Sequence, residues 1–485
     1  MSSTTSRSES RGQVLVLFAG AAFTLFVIAA LVFDVGMMVV QRRDEQNAAD
    51  AAALAGARYV LTDTVEADAA ARRIAKANGF DDADPNQIVS VHIPPIHGLY
   101  VGFPGFIEVQ IESTRPSIFG GIIGRASWPV GASAVATNAQ NLTFPFSMLA
   151  LNPTACKSIA VSGGGVVEAY ANIQSNSNGS GCAPGAPVGF SRTGGSTIDV
   201  LAPDATCRAV GQIQDQGSGS MTCTKAQGSF ALPDPLRSLP GPTKPALAPA
   251  MQYAGTGSPP SQPPKDCPGR TGANAPSETS PQTCVLGTPA GTYGNLPWIL
   301  YPGLYPGGLQ VNQGTTAYLM PGIYWLGGGG LKVSGGGSIF TIATETDAKP
   351  LVSAATWGGG VMIYNTKLPA MAGAVIDLNG SGATMKLKPF EVPATDPNAI
   401  YNDMTIFQDR TVTTSVTLNG SASSTIVDGI IYVPGGQVKL NGNGGTLIVD
   451  QVIADTFDIN GNGGTIKILR GTGVDAHIVA AGLVE

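Results

Sequence analysis

Val438-Lys439-Leu440-Asn441-Gly442, then Asn443-Gly444-Gly445, then Thr446-Leu447-Ile448-Val449, is the stretch on which the fold of this chain turns. Val438 and Leu440 flank Lys439 in the period-2 pattern of a strand with one face buried. The Asn-Gly run breaks the strand, and a second short apolar strand follows. The same unit recurs as Ile376-Asp377-Leu378-Asn379-Gly380, Val416-Thr417-Leu418-Asn419-Gly420 and Phe457-Asp458-Ile459-Asn460-Gly461. Looser copies are Leu309-Gln310-Val311-Asn312, Leu331-Lys332-Val333-Ser334-Gly335 and Ile159-Ala160-Val161-Ser162-Gly163. Asn379, Asn419, Asn441 and Asn460 are 40, 22 and 19 residues apart. That spacing suggests one coil per about 20 residues, with two coils in the first gap. It predicts a right-handed parallel β-solenoid (β-helix) in preference to a β-sandwich, whose Asn-Gly sites would be hairpin turns. In a solenoid these four Asn mark turns where φ is positive or the backbone is crowded, and their side chains can stack as a hydrogen-bonded ladder. A calcium-binding nonapeptide solenoid fits poorly, because Thr stands in 442–447 where a ligand Asp is needed. Residues 471–485 read as a capping strand.

Working outward, residues 233–297 are dense in proline, with Pro259, Pro260, Pro263 and Pro264 among Gly, Ser and Thr. They predict an extended linker or a long insertion. All six cysteines, Cys156, Cys182, Cys207, Cys223, Cys267 and Cys284, lie in this neighbourhood, and none forms C-x-x-C. An even number in loop-like sequence points to disulfides and an oxidising compartment, with 15 pairings open. Composition agrees with a structural role. Charged residues make up 12% of the chain, against roughly 25% in an average domain, while Gly (64) and Pro (35) are abundant. The net charge of −6 and the absence of a basic block argue against nucleic acid. Three histidines leave little for a metalloenzyme or a His-based triad.

Residues 14–33 form a run of 20 in which Thr24 is the only strongly polar member. As a helix it spans about 30 Å, the thickness of a bilayer core. It is longer than a signal-peptide core and flows into Asp34-Val35-Gly36 without a cleavage site, so a retained transmembrane helix is expected. Arg7 and Arg11 before it and Arg42 and Arg43 after it leave the positive-inside count tied. The cysteines place the larger part outside the cytoplasm. Beyond the span, QRRDEQNAADAAALAGARYV (41–60) is rich in Ala, the best helix former, and predicts a continuing helical stalk. Ala48, Ala52 and Gly56 make a flat i, i+4 stripe on which a helix can pack closely. A second helix is expected over about 65–78, ended by Gly79.

Gly12-Gln13 entering an apolar helix, Asp34-Val35-Gly36, and Gln46-Asn47-Ala48-Ala49-Asp50-Ala51-Ala52-Ala53-Leu54-Ala55-Gly56-Ala57 occur in an order and spacing that resemble the N-terminal domain of TadE/TadG-like Flp (tight adherence) pilus-assembly proteins. Strand-like 106–113 and 130–136, with Ile118-Phe119-Gly120 between them, look like the small α/β part that follows the helix in that family. The resemblance implies an inner-membrane anchor, an exterior C-terminal region and pilus-assembly partners met through the N-terminal helix. Two family features are absent. No Glu stands five residues into a helix after Gly12 or Gly20, so prepilin-type processing is not expected, and no D-x-S-x-S marks a metal-dependent adhesion domain.

Other candidate sites read as structural. A solenoid carbohydrate-active enzyme would need converging carboxylates, and Asp403, Asp409, Arg410, Asp428, Asp450 and Asp458 are the available groups. Coil corners and solvated faces account for them. His92 and His97 lack a metal-ligand context. Tyr301, Tyr305, Tyr324, Trp325 and Trp357 are either an aromatic platform for sugar rings or core. Gly327-Gly328-Gly329-Gly330 lacks the Lys-Ser/Thr of a phosphate loop. The expected organisation is a cytoplasmic N-terminus (1–13), the transmembrane helix (14–33), a helical stalk with a small α/β part (34–140), a Cys-bearing β region (141–232), the Pro-rich linker or insertion (233–297) and a Gly/Asn-rich β-solenoid (298–485). The expected function is a non-enzymatic scaffold of a Tad/Flp-type pilus system, without catalytic residues, metal or cofactor. Its partners are the lipid bilayer and pilus-assembly proteins, with no nucleic acid. A surface adhesin or glycan-binding module, and a solenoid polysaccharide-active enzyme, are the alternatives.

Overall fold

The computed structural model describes residues 11–61, 63–137, 140–287, 293, 295–342, 359–369, 371–379, 384–420, 425–479 and 482–483. Trp357 and Gly380 lie outside the described residues. The chain divides into two compact units, one ending at Leu142 and joined by the last residues from Val479, the other Thr143–Ile478.

In the first unit, helix α1 (Arg11–Ala57) is continuous over 47 residues. Nothing in its sequence breaks it: no proline occurs, and a Cβ added at Gly20 or Gly36 would meet nothing within 4 Å. It is the one helix among the described residues long and apolar enough to cross a membrane. Helix α2 (Thr64–Ala77) begins where the Asp63 carboxylate accepts from the Val65 and Glu66 N–H groups, and Gly79 follows its end with φ +93. A carboxylate at this position satisfies N–H groups that have no partner within the helix. Three antiparallel strands follow, β1 (Gln87–His92), β2 (Phe106–Pro116) and β3 (Ser127–Thr137), in sheet order. Alternate residues Ile107, Val109 and Ile111 of β2 face Ala48, Ala49, Ala52 and Ala53 of α1 and Ala67 and Ala71 of α2 in one core. Gly482–Leu483 adds to β3 opposite Ala136 and Thr137. This corrects the capping-strand reading, since the described end of the chain pairs in the first unit and not with the repeats.

The second unit is built mostly of parallel strands. Val416–Asn419 pairs with residues 438–441 of Ile430–Asn441, these with residues 457–460 of Val452–Asn460, and these with Ile159–Ser162. A second sheet repeats the order: Thr425–Val427, then Thr446–Val449, Thr465–Ile468 and Val166–Ala169. Side chains at alternate positions, Val438, Leu440, Leu447, Val449, Phe457, Ile459, Ile466 and Ile468, are buried together, while Lys439, Asp458 and Lys467 point outward. The strands near residues 150–227 therefore extend the same sheets as those beyond 298.

The 40-residue gap between Asn379 and Asn419 is a single step and not two. Ile376–Leu378 pairs directly with residues 416–418, and the surplus includes a 3-10 helix at Pro397–Tyr401. At the Asn-Gly sites, crowding and positive φ fall on different residues. Asn419, Asn441 and Asn460 each end a strand, and the positive φ values fall later, at Asn443, Gly444, Asn462 and Gly463. The glycines after the Asn residues answer to crowding. A Cβ on Gly442 would lie 2.4 Å from the Gly461 carbonyl oxygen, and one on Gly461 would lie 2.4 Å from the Gly165 Cα.

Candidate functional site

The DVG segment of α1 is a docking point for the chain's own backbone. Asp34, 4% exposed, takes hydrogen bonds on its carboxylate from the Ser117 hydroxyl and the N–H groups of Ile118 (3.1 Å), Phe119 (3.1 Å) and Gly120 (2.7 Å). The turn between β2 and β3 contains the 3-10 helix Gly120–Ile123, and Asp34 accepts the N–H groups that open it. About three turns further along α1, Glu45 is fully buried and accepts from the Ser113 hydroxyl and from Gln41 Nε2 at 3.0 Å. The next residue, Gln46, donates from Nε2 to the Ser133 carbonyl oxygen at 3.0 Å. Polar groups between Asp34 and Gln46 thus tie this part of α1 to β2, β3 and the turn between them. Sequence reading used Asp34 and Gln46 only as motif letters; an acidic residue ending an apolar run was the available signal.

Ala48 and Ala52 are buried against the unit's own core, and a Cβ on Gly56 would sit 2.4 Å from Ile107 Cδ1 and 2.9 Å from the Ala67 carbonyl oxygen. The small-residue stripe is occupied by α2 and β2 of the same chain. His97 Nδ1 lies 2.9 Å from Glu108 Oε1, and His92 packs edge-on to His97 with ring centroids 6.2 Å apart. No group of three or more His, Cys, Asp or Glu among the described residues is arranged for a metal ion.

In the second unit the six cysteines form Cys156–Cys182, Cys207–Cys223 and Cys267–Cys284. The Asn residues divide. Asn441 Nδ2 donates to Asn419 Oδ1 at 2.7 Å, whereas Asn460 Oδ1 accepts from the N–H of Asn462, and Asn379 is exposed.

Aromatic residues line up in register across neighbouring strands, with their rings tilted or edge-on to one another. Ring centroids are 5.8 Å apart for Trp325–Tyr364, 5.1 Å for Tyr364–Phe407 and 5.4 Å for Phe407–Tyr432. This row is covered by the Pro-rich segment. Tyr432 donates to Asp234 Oδ2 at 2.7 Å, Tyr401 to the Pro240 carbonyl at 3.0 Å, and the Trp325 indole to the Pro242 carbonyl at 3.3 Å. Arg410 adds bonds to Asp234 and to the Leu236 carbonyl. Proline has a carbonyl to offer and no N–H, so phenol and indole donors are its complement. Burial, and then the Asp234 carboxylate, push the Tyr432 hydroxyl well up, which keeps it a donor. Trp325, Tyr324 and Tyr305 are buried, so they present no open platform.

The carboxylates differ in their surroundings. Asp409 accepts from Tyr364 at 2.6 Å; burial raises its pKa, but hydrogen bonds from Thr411 and Tyr364 outweigh that and leave it lowered. Asp428 and Asp450 follow strand positions paired as Val427 and Val449. Burial, and then Asp450, push Asp428 up; burial also pushes Asp450 up, against the Gly429 N–H that it accepts at 2.6 Å.

No curated protein matches this chain. Among solved structures it is similar to the competence-associated pilin ComZ from Thermus thermophilus, with 10% identity over 89% of this chain and 94% of that one. The TM-score of 0.19 is too low for that likeness to bear on the fold. The N-terminal family signature is a different matter, because it coincides with α1: residues 12–58 match the family described as putative Flp pilus-assembly TadE/G-like.

Proposed function

We propose that this chain is a membrane-anchored, non-enzymatic scaffold of a Tad/Flp-type pilus-assembly system. The observation that carries the reading is the coincidence of the family match at 12–58 with the single helix Arg11–Ala57. Residues 14–33 cross the inner membrane once, with residues 1–13 in the cytoplasm and residues 34–485 outside it. The three disulfides support that side, because such bonds persist in oxidising compartments. The second unit is a parallel β-solenoid and not a β-sandwich. In-register parallel pairing of strands about 20 residues apart supports this, and crossovers between parallel strands are almost always right-handed. The buried aromatic row favours a load-bearing body over a sugar-binding face.

Deleting the coding sequence in its host and counting surface pili by electron microscopy, beside a complemented strain, tests the proposal. Loss of pili restored by complementation is expected. Normal pili with weakened attachment would overturn the assembly role in favour of an adhesin.

A further inference from the structure

The geometry points to a second membrane contact in the first unit: the turn 117–124 enters the outer boundary of the bilayer beside α1. The inference rests on the reading of residues 14–33 as a membrane span. Its sequence is Ser117-Ile118-Phe119-Gly120-Gly121-Ile122-Ile123-Gly124, without a charge, and it is bracketed by Arg115 and Arg125. Asp34 is the first residue after the span, and it holds the turn directly through the Ser117 hydroxyl and three successive backbone N–H groups. The turn is therefore fixed at the level where the span ends.

From that point the apolar side chains run back along the span. Phe119 packs edge-on against Phe33 with centroids 6.0 Å apart. Ile118 and Phe119 roof one end of an apolar groove whose floor includes Phe23, Phe26 and Phe33. At a rise of 1.5 Å per residue, Phe23 to Phe33 covers about 15 Å of helix. Ile118 is nevertheless 62% exposed and Phe119 39% exposed, beside a helix face where Phe26 is 75% exposed. In water such a contiguous patch would be a liability; in a bilayer it is continuous with the span.

The base of the turn has the composition of a membrane interface. Arg115 pairs with Trp128 across β2 and β3, and the Arg125 guanidinium lies 5.5 Å from the Trp128 ring. Trp favours the headgroup level, and Arg reaches lipid phosphates while its stem lies along apolar surface. The occupant of this surface is lipid, with acyl chain against Ile118 and Phe119 and headgroup beside the two arginines. The turn acts as a wedge that sets the first unit at a defined depth and orientation on the membrane.

The test uses the full chain in vesicles of phosphatidylcholine and phosphatidylglycerol. Ile118→Cys, Phe26→Cys and Val65→Cys carry an environment-sensitive fluorophore, read with a shallow lipid-borne nitroxide quencher and with aqueous iodide. Val65 is 79% exposed, at the start of α2. The expected result is that the labels at 26 and 118 are quenched several-fold more by the lipid nitroxide than the label at 65, and resist iodide. A label at 26 open to iodide and silent to the nitroxide would overturn the anchoring itself. A lipid-quenched label at 26 with a label at 118 behaving like that at 65 would overturn the wedge alone. A label at 118 shielded from both quenchers would also overturn it, showing a second copy of the chain on this surface.

Discussion

The two units solve the same problem, burying a modest supply of apolar side chains, by opposite means. The first does it with contacts that occur once: a carboxylate on a turn, a glycine against a carbonyl, alanines under a four-stranded sheet. The second repeats one contact many times, each strand meeting in parallel another strand with the same alternation of side chains. Loss of a single residue should therefore be felt through the whole of the first unit. In the second it should be felt locally, as nearest-neighbour coupling in a repeat structure implies.

The largest effect is expected in the repeats. Phe457, fully buried between Val438 and Ile159 in register, should cost about 3–5 kcal/mol when replaced by Ala. Hydrogen exchange should speed up in residues 430–468 and 146–170 and stay unchanged near Leu309–Val311. Uniform loss of protection over the whole unit would break the comparison.

Next is Asp34→Ala, which strips the acceptor from one hydroxyl and three N–H groups. Bonds to a charged group are stronger than those between neutral partners, and without the carboxylate the Gly120 N–H keeps only the Ser117 hydroxyl as acceptor. Limited proteolysis should then cut within 117–124 of the detergent-solubilised chain, where the parent resists. Asp34→Asn should recover part of that resistance.

Gly56→Ala sets two effects against each other. Ala gains up to about 1 kcal/mol of helix propensity, while overpacking costs about 1–3 kcal/mol. The Ile107 side chain can yield, but the Ala67 carbonyl is backbone, so the clash should win. A midpoint shifted down in denaturant is the expected reading; a shift up would show that α2 moves freely.

The smallest effect belongs to Asp428→Asn. The folded protein raises the Asp428 pKa above the ordinary 3.8, so ionisation is disfavoured in the fold and the charged group weakens it at neutral pH. As pH falls through the raised pKa toward 3.8, the group protonates first in the folded state and stability recovers. Removing the charge should add about 0.2–1 kcal/mol at pH 7, the size of a half-solvated like-charge contact, and nothing below about pH 3.8. An equal gain at both pH values would assign the effect to something other than ionisation.

Local order could be read from the chain, and closure could not. The apolar run 14–33, the Ala-rich continuation, Gly79 behind α2 and the alternation in Val438–Leu440 each follow from neighbours within a few residues, where propensity and periodicity act. They determined a long apolar helix and a mainly β remainder with a near-regular repeat. Only tertiary structure decided that residues 457–460 lie on 159–162, because both segments carry the same pattern and either could have met another copy. It also decided that Ile376–Leu378 steps directly to residue 416, that Gly442 and Gly461 serve close approach, and that Pro240 and Pro242 cover an aromatic row. A repeat announces which strands can pair; which ones do is settled by the side chains and carbonyls that meet across the gap.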